Sequence, residues 1–156
     1  MKTLASRIVS ATLGAALVFC LPAHPVSAAS GSCSVSSVTP INFGAYDVFS
    51  ATPDDAAGNI KYRCTGGPTL MIGLSGMLSG PIRQLSSGAD KLQYNVYTSA
   101  SRTVLFGDGS FGASSLLVGQ IKTTAQQTTN FYGRIPAGQD VPAGAYSATL
   151  VVTLNF

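Results

Sequence analysis

The chain has 156 residues, of which 46% are hydrophobic and 10% charged, with a formal net charge of +3. That apolar content is enough to collapse, which argues against a disordered chain, and the few scattered charges form no basic stripe for nucleic acid. Glutamate and tryptophan are absent, and the single histidine, His24, falls in an amino-terminal segment with the marks of an export signal.

In that segment Lys2 and Arg7 give a positive start, and residues 11–23 form an apolar stretch too short to span a bilayer. Val26-Ser27-Ala28 reads as a small-residue cleavage site. Residues 1–28 are therefore expected to be removed, leaving a single domain from Ala29 to Phe156. Cys20 raises a lipoprotein alternative, but Phe19 stands where a small residue is normal. Without Lys2 and Arg7, seven basic residues face six aspartates, a balance of about +1. The mature part keeps Cys33 and Cys64, and an even pair in an exported chain is expected to form a disulfide.

Residues 33–38 alternate and read as a first strand. Pro40 interrupts it, and 41–49 (INFGAYDVF) reads as a further strand with a bend or bulge at Gly44. Residues 51–59 (ATPDDAAGN) read as a turn-rich loop. The next strand, 59–64, places Ile60, Tyr62 and Cys64 on one face, where Cys64 is able to staple to Cys33 on a neighbouring strand. After a Gly66-Gly67-Pro68 turn, 69–74 (TLMIGL) is the near-continuous apolar run of a central strand. Residues 75–90 are rich in Gly and Ser and read as loop, with a short strand at 82–85.

Strand 92–97 sets Leu92, Tyr94 and Val96 against Gln93, Asn95 and Tyr97. Residues 103–106 are short and β-prone, and 107–112 (GDGSFG) is turn chemistry. Strands at 116–121 and 130–135 follow, then a proline- and glycine-bounded loop. The final stretch, 146–156, alternates Tyr146, Ala148, Leu150, Val152, Leu154 and Phe156 against Ser147, Thr149, Val151, Thr153 and Asn155. It reads as one long strand of about 36 Å. Ending at Phe156, it is expected to need a partner from earlier in the chain or from another chain. Many short strands, turns between them and no helical periodicity predict an all-β sandwich or barrel.

Little here supports catalysis. With no mature histidine, no glutamate and the thiols expected in a disulfide, acid–base and nucleophilic sets have no obvious members. Asp54, Asp55 and Asp108 are expected to bond their own backbone in turns. The Asp108 turn lacks the further acidic ligands of a calcium loop. Gly107, Gly109 and Gly112 match a dinucleotide fingerprint in spacing but have no βαβ context. Tyr62, Tyr94 and Tyr97 are expected to pack in the core or across strands. No catalytic residue, metal ligand, cofactor or small-molecule substrate is expected.

Several short motifs recur in order: Phe43-Gly44-Ala45-Tyr46-Asp47, Cys64-Thr65-Gly66, Leu92-x-Tyr94-x-x-Tyr97, and Phe106-Gly107-Asp108-Gly109. YGRIPAGQDVPAGAY at 132–146 and the alternating terminal stretch complete the set. Together they resemble the spore coat protein U domain, the subunit family of archaic chaperone–usher pili, over essentially the whole mature chain. Ala148 and Phe106 depart from it, standing where an aspartate and a tryptophan are common. The resemblance implies an immunoglobulin-like β-sandwich that lacks its last strand and is completed by a neighbour's extended segment. It also implies passage through the periplasm to the cell surface or medium. The implied partners are a periplasmic chaperone, an outer-membrane usher and other pilus subunits, in a fimbrium serving adhesion and biofilm growth. Leu150, Val152, Leu154 and Phe156 would then line the groove for chaperone and donor strands.

Three roles fit that expectation: a pilus subunit, a tip adhesin binding a surface or glycan through loops 77–81 and 109–117, or a self-contained secreted coat protein. If cleavage follows Ala28, only Ala29, Ser30, Gly31 and Ser32 precede Cys33. Four residues reach at most about 14 Å, too short to cross a partner's groove. The subunit is therefore expected to accept a strand without donating one, as a tip or capping subunit would.

Overall fold

A computed structural model describes residues 31–75 and 80–156. The expected leader, Ala29, Ser30 and most of the 77–81 loop lie outside the described residues. Eight strands are present among the described residues: β1 (Ser32–Thr39), β2 (Asp54–Thr65), β3 (Thr69–Leu74), β4 (Arg83–Ser87), β5 (Asp90–Tyr97), β6 (Leu116–Gln120), β7 (Gln127–Ile135) and β8 (Val152–Asn155). They build two antiparallel sheets, ordered β1-β2-β7-β5-β4 and β6-β3-β8. No helix occurs among the described residues. The architecture is an all-β, immunoglobulin-like sandwich.

The alternations explain the core. Ile60, Tyr62 and Cys64 of β2, Leu92, Tyr94 and Val96 of β5, and Phe131 and Ile135 of β7 turn inward and are nearly inaccessible. Leu70, Ile72 and Leu74 of β3 face them from the other sheet. Each such side chain contributes about 1.5–3 kcal/mol when fully buried. Tyr62 and Tyr94 are thus core residues, and the Tyr62 hydroxyl lies 3.1 Å from Thr129 Oγ1. Cys33 stands directly opposite Cys64, and the two are bridged across β1 and β2.

Four expectations need correction. Residues 54–59 are not loop: β2 begins at Asp54 and pairs with β7 along Asp54↔Ile135 to Tyr62↔Gln127. A full ladder to a neighbour overrides the weak strand propensity of Asp, Ala and Gly. Residues 41–49 are not a strand, because no neighbour pairs with their backbone. The terminal strand covers only Val152–Asn155 rather than 146–156. Residues 103–106 contribute only isolated bridges, Tyr97↔Leu105 and Phe106↔Ser114.

One glycine shows why this ladder tolerates its composition. A Cβ at Gly58 would lie 2.5 Å from the Phe131 ring and 2.6 Å from the Thr39 carbonyl oxygen. The Phe131 ring therefore occupies the side-chain space of Gly58, where glycine's missing side chain leaves an aromatic partner room. The backbone oxygen cannot give way as a flexible side chain would. Gly58→Ala is expected to destabilise by about 1–3 kcal/mol, read as a lower denaturant midpoint with an unchanged slope.

Candidate functional site

Over β4, β5 and β7 of the larger sheet lies an open cleft of about 610 Å³. One wall is the extended segment 41–49, the other is 141–148, and the floor includes Leu85, Leu92 and Ile135. Neither wall belongs to a strand.

The first wall is held by packing. Ile41 and Phe43 lie over Gly133 of β7, where a Cβ would come within 2.9 Å and 2.6 Å of their side chains. Phe43 meets the Tyr94 ring edge-on, with centroids 6.0 Å apart. The Tyr46 hydroxyl donates to the Pro136 carbonyl at 2.9 Å and accepts from the Gln139 N–H at 2.9 Å. Gly44, with φ +76°, supplies the expected bend between Phe43 and Tyr46, a conformation costly for other residues. At the end of this wall the Asp47 carboxylate accepts the Phe49 N–H at 2.9 Å, and the Phe49 ring stands 93% exposed. Between Ile41 and Tyr46, no main-chain group bonds to a neighbouring strand among the described residues.

The second wall is pinned at few points. Tyr146 donates its hydroxyl to the Pro142 carbonyl at 2.9 Å. Ser147 and Ser86 of β4 exchange both main-chain hydrogen bonds, at 2.9 and 3.1 Å. Past the cleft, the same segment becomes β8, the edge strand of its sheet, with one side unpaired. The cleft therefore presents apolar side chains on its floor and, along 41–46 and at Ala148, main-chain groups that no strand pairs among the described residues. Such groups are ordinarily paired when buried. Asp47 is the only charged side chain lining the cleft among the described residues.

Of the residues expected to line a groove, Leu150, Val152 and Leu154 are half-buried and pack against the core. Phe156 is 57% exposed beyond β8. The cleft itself is lined by 141–144 and 146–148 and, opposite them, by 41–49. The bend at Gly44 within 41–49 was visible in the sequence, but nothing in it placed that segment across from the carboxy-terminal one.

The charged groups divide by environment. Asp108 behaves as a turn residue, accepting from the Ser110 N–H and hydroxyl, which hold its carboxyl below the usual range. Asp54 and Asp55 do not sit in a turn. Asp55 faces its cross-strand partner Arg134 in a bidentate pair at 2.7 and 2.8 Å, with Arg102 at 3.2 Å. The Arg134 hydrogen bond, with the Arg102 charge, holds its carboxyl below the ordinary value. Burial, with the Asp55 charge beside it, pushes Asp54 up.

The signs are opposite. The lowered Asp55 value means its pair stabilises above about pH 4 and is lost as pH falls through the depressed value. The raised Asp54 value is a cost at neutral pH, relieved as pH falls. Asp55→Asn is expected to lose about 0.5–1 kcal/mol at pH 7 and to soften acid unfolding. Asp54→Asn is expected to leave stability at pH 7 unchanged or raised. Thermal melts at pH 7 and pH 3 check both.

Comparison with known proteins matches this chain, over residues 19–153, to the family model described as Spore Coat Protein U domain. Protein U of Myxococcus xanthus is 29% identical over 183 aligned positions spanning both chains completely. Among solved structures, one similar chain belongs to the CsuC–CsuE chaperone–tip adhesion subunit pre-assembly complex of the archaic chaperone–usher Csu pili of Acinetobacter baumannii. Its TM-score is 0.53 at 23% identity, covering 81% of this chain and 40% of that one. A chain from a chaperone–usher pilus structure has a TM-score of 0.51 at 16% identity, covering 100% and 99%. These structural likenesses bear on the fold, and the family match covers most of the length: the chain belongs to the spore coat protein U domain family.

Proposed function

We propose that this protein is an exported, non-catalytic structural subunit of a cell-surface pilus, assembled by addition of a partner's strand. The observation that carries this reading is the cleft: two extended walls with unpaired backbone, set over an apolar floor. A strand lying between 41–49 and the carboxy-terminal segment would satisfy those backbone groups and place alternate side chains on Leu85, Leu92 and Ile135. During export a chaperone strand fills the cleft. At an outer-membrane usher, another subunit's segment replaces it. Leu150, Val152 and Leu154 supply the inward face of the β8 edge that the added strand extends, with Phe156 beyond its end.

The subunit accepts a strand but does not donate one, which suits a tip or capping position. Gly31 already packs on Pro68, where a Cβ would approach to 2.6 Å, and Ser32 is paired with Thr65. With the leader cleaved after Ala28, Ala29 and Ser30 alone precede these anchored residues. A donor segment needs about ten residues to cross a groove.

The family description, a spore coat domain, favours a second reading, a secreted coat protein that closes on itself. Refolding decides between them. A pilus subunit refolds poorly alone, co-purifies with its chaperone, and from that complex captures the amino-terminal peptide of a neighbouring subunit without forming ladders with itself. A coat protein refolds alone to a stable monomer. Detergent-resistant self-polymers would contradict the non-donating role.

A further inference from the structure

Arg83 is 1% exposed and is the only buried charged side chain among the described residues. It stands on β4 opposite Tyr94, and no carboxylate pairs with it among the described residues. Instead its guanidinium crosses to the other layer and gathers main-chain carbonyls. Nη2 donates to Phe106 O at 2.7 Å, to Ser75 O at 3.3 Å and to Leu74 O at 3.4 Å, and Nε donates to Ser75 O at 3.4 Å. Nη1 has no partner among the described residues. An unpaired buried charge is expensive, and a planar fork of donors suits several carbonyls at once.

Two of the carbonyls it gathers, those of Leu74 and Ser75, lie at the end of β3, where Ser75 takes hold of the carboxy-terminal segment. The Ser75 N–H donates to Val151 O at 2.9 Å, and the Val151 N–H donates to Ser75 Oγ at 2.8 Å. Both main-chain groups of Val151 are thus held by one residue, whose own carbonyl is held by Arg83. Three positions along β4, Ser86 grips Ser147 directly. The segment between these two grips, 148–150, makes no main-chain bond to a neighbouring strand among the described residues, and Ala148 lines the cleft.

We propose that Arg83 and Ser75 form an internal clamp that fixes the carboxy-terminal segment in place as a wall of the cleft. Arg83 is a positioning residue: it touches no incoming strand and acts through Ser75 on Val151. The inference rests on the strand-accepting reading of the cleft.

The test compares wild type, Ser75→Ala, Arg83→Lys and Arg83→Met as mature chains. Amide exchange is followed at Val151, and at Ile60 and Phe131 in the distant β2–β7 ladder. Each chain is also loaded with a synthetic peptide of about ten alternating valines and threonines, and its release is timed. Ser75→Ala is expected to speed Val151 exchange and peptide release about tenfold, leaving Ile60 and Phe131 unchanged. Arg83→Met is expected to do the same or to fail to fold, and Arg83→Lys to recover part of the loss. Unchanged Val151 exchange and peptide release in folded Ser75→Ala would overturn the clamp. Val151 exchange that quickens in a chain taking up no peptide would support the clamp and sink the strand-accepting reading instead.

Discussion

Cys64→Ser, or equally Cys33→Ser, is expected to destabilise the protein by about 2–5 kcal/mol and to appear first as lost yield of exported protein. Among the described residues β1 pairs only with β2, and Cys33 is its one side chain packed against the core. Val35 and Val38 are about half exposed. Without the bridge, β1 keeps its ladder but loses its covalent tie across a sequence separation of 31, and the unfolded chain regains the freedom of that loop. Cys64, at 1% exposure, would leave a hydroxyl in an apolar core. The effect reaches the cleft, because the wall at 41–49 leaves the sheet directly from β1. Intact mass before and after reduction establishes the bridge, and denaturant midpoints give the cost. A serine variant with unchanged yield and midpoint would contradict it.

The second large effect is expected from Val152→Asp, with Val151→Asp as its control. Val152 opens β8, pairs with Leu74, and turns half-buried toward the core. A carboxylate there meets Leu74, which is 1% exposed. The expected cost is about 3 kcal/mol or more. The variant should fail to accumulate, with or without a chaperone strand beside β8. Val151 points outward at 59% exposure, so its aspartate variant should change stability by no more than about 0.5 kcal/mol. If both variants accumulate normally, the face assignment of the terminal strand is wrong.

What the sequence made legible was whatever a single segment specifies. Ile60, Tyr62 and Cys64, or Leu92, Tyr94 and Val96, state their inward face by alternation alone, and the apolar run at 69–74 states its central place. What it left obscure depended on a partner. Residues 54–59 look like a loop until β7 is seen beside them. Residues 41–49 and 146–151 have the composition of strands but lack a ladder among the described residues. Both misreadings of strand at the cleft have one physical cause: β structure is completed between segments, and neither segment has a ladder to a neighbour among the described residues. The aspartate pair was misread for a related reason, since Arg134 and Arg102 reach Asp55 from distant positions in the chain.

Amide exchange along the two walls, with and without an added strand, tests the strand-accepting cleft most directly. The mature chain is measured alone, bound to its chaperone, and loaded with a neighbouring subunit's amino-terminal peptide. Amides at 41–46 and 148–150 should exchange freely in the chain alone and gain protection in both complexes, approaching that of Ile60 and Phe131. Full protection of both walls in the chain alone, unchanged by chaperone or peptide, would show a sandwich that closes on itself and would contradict the cleft as an acceptor.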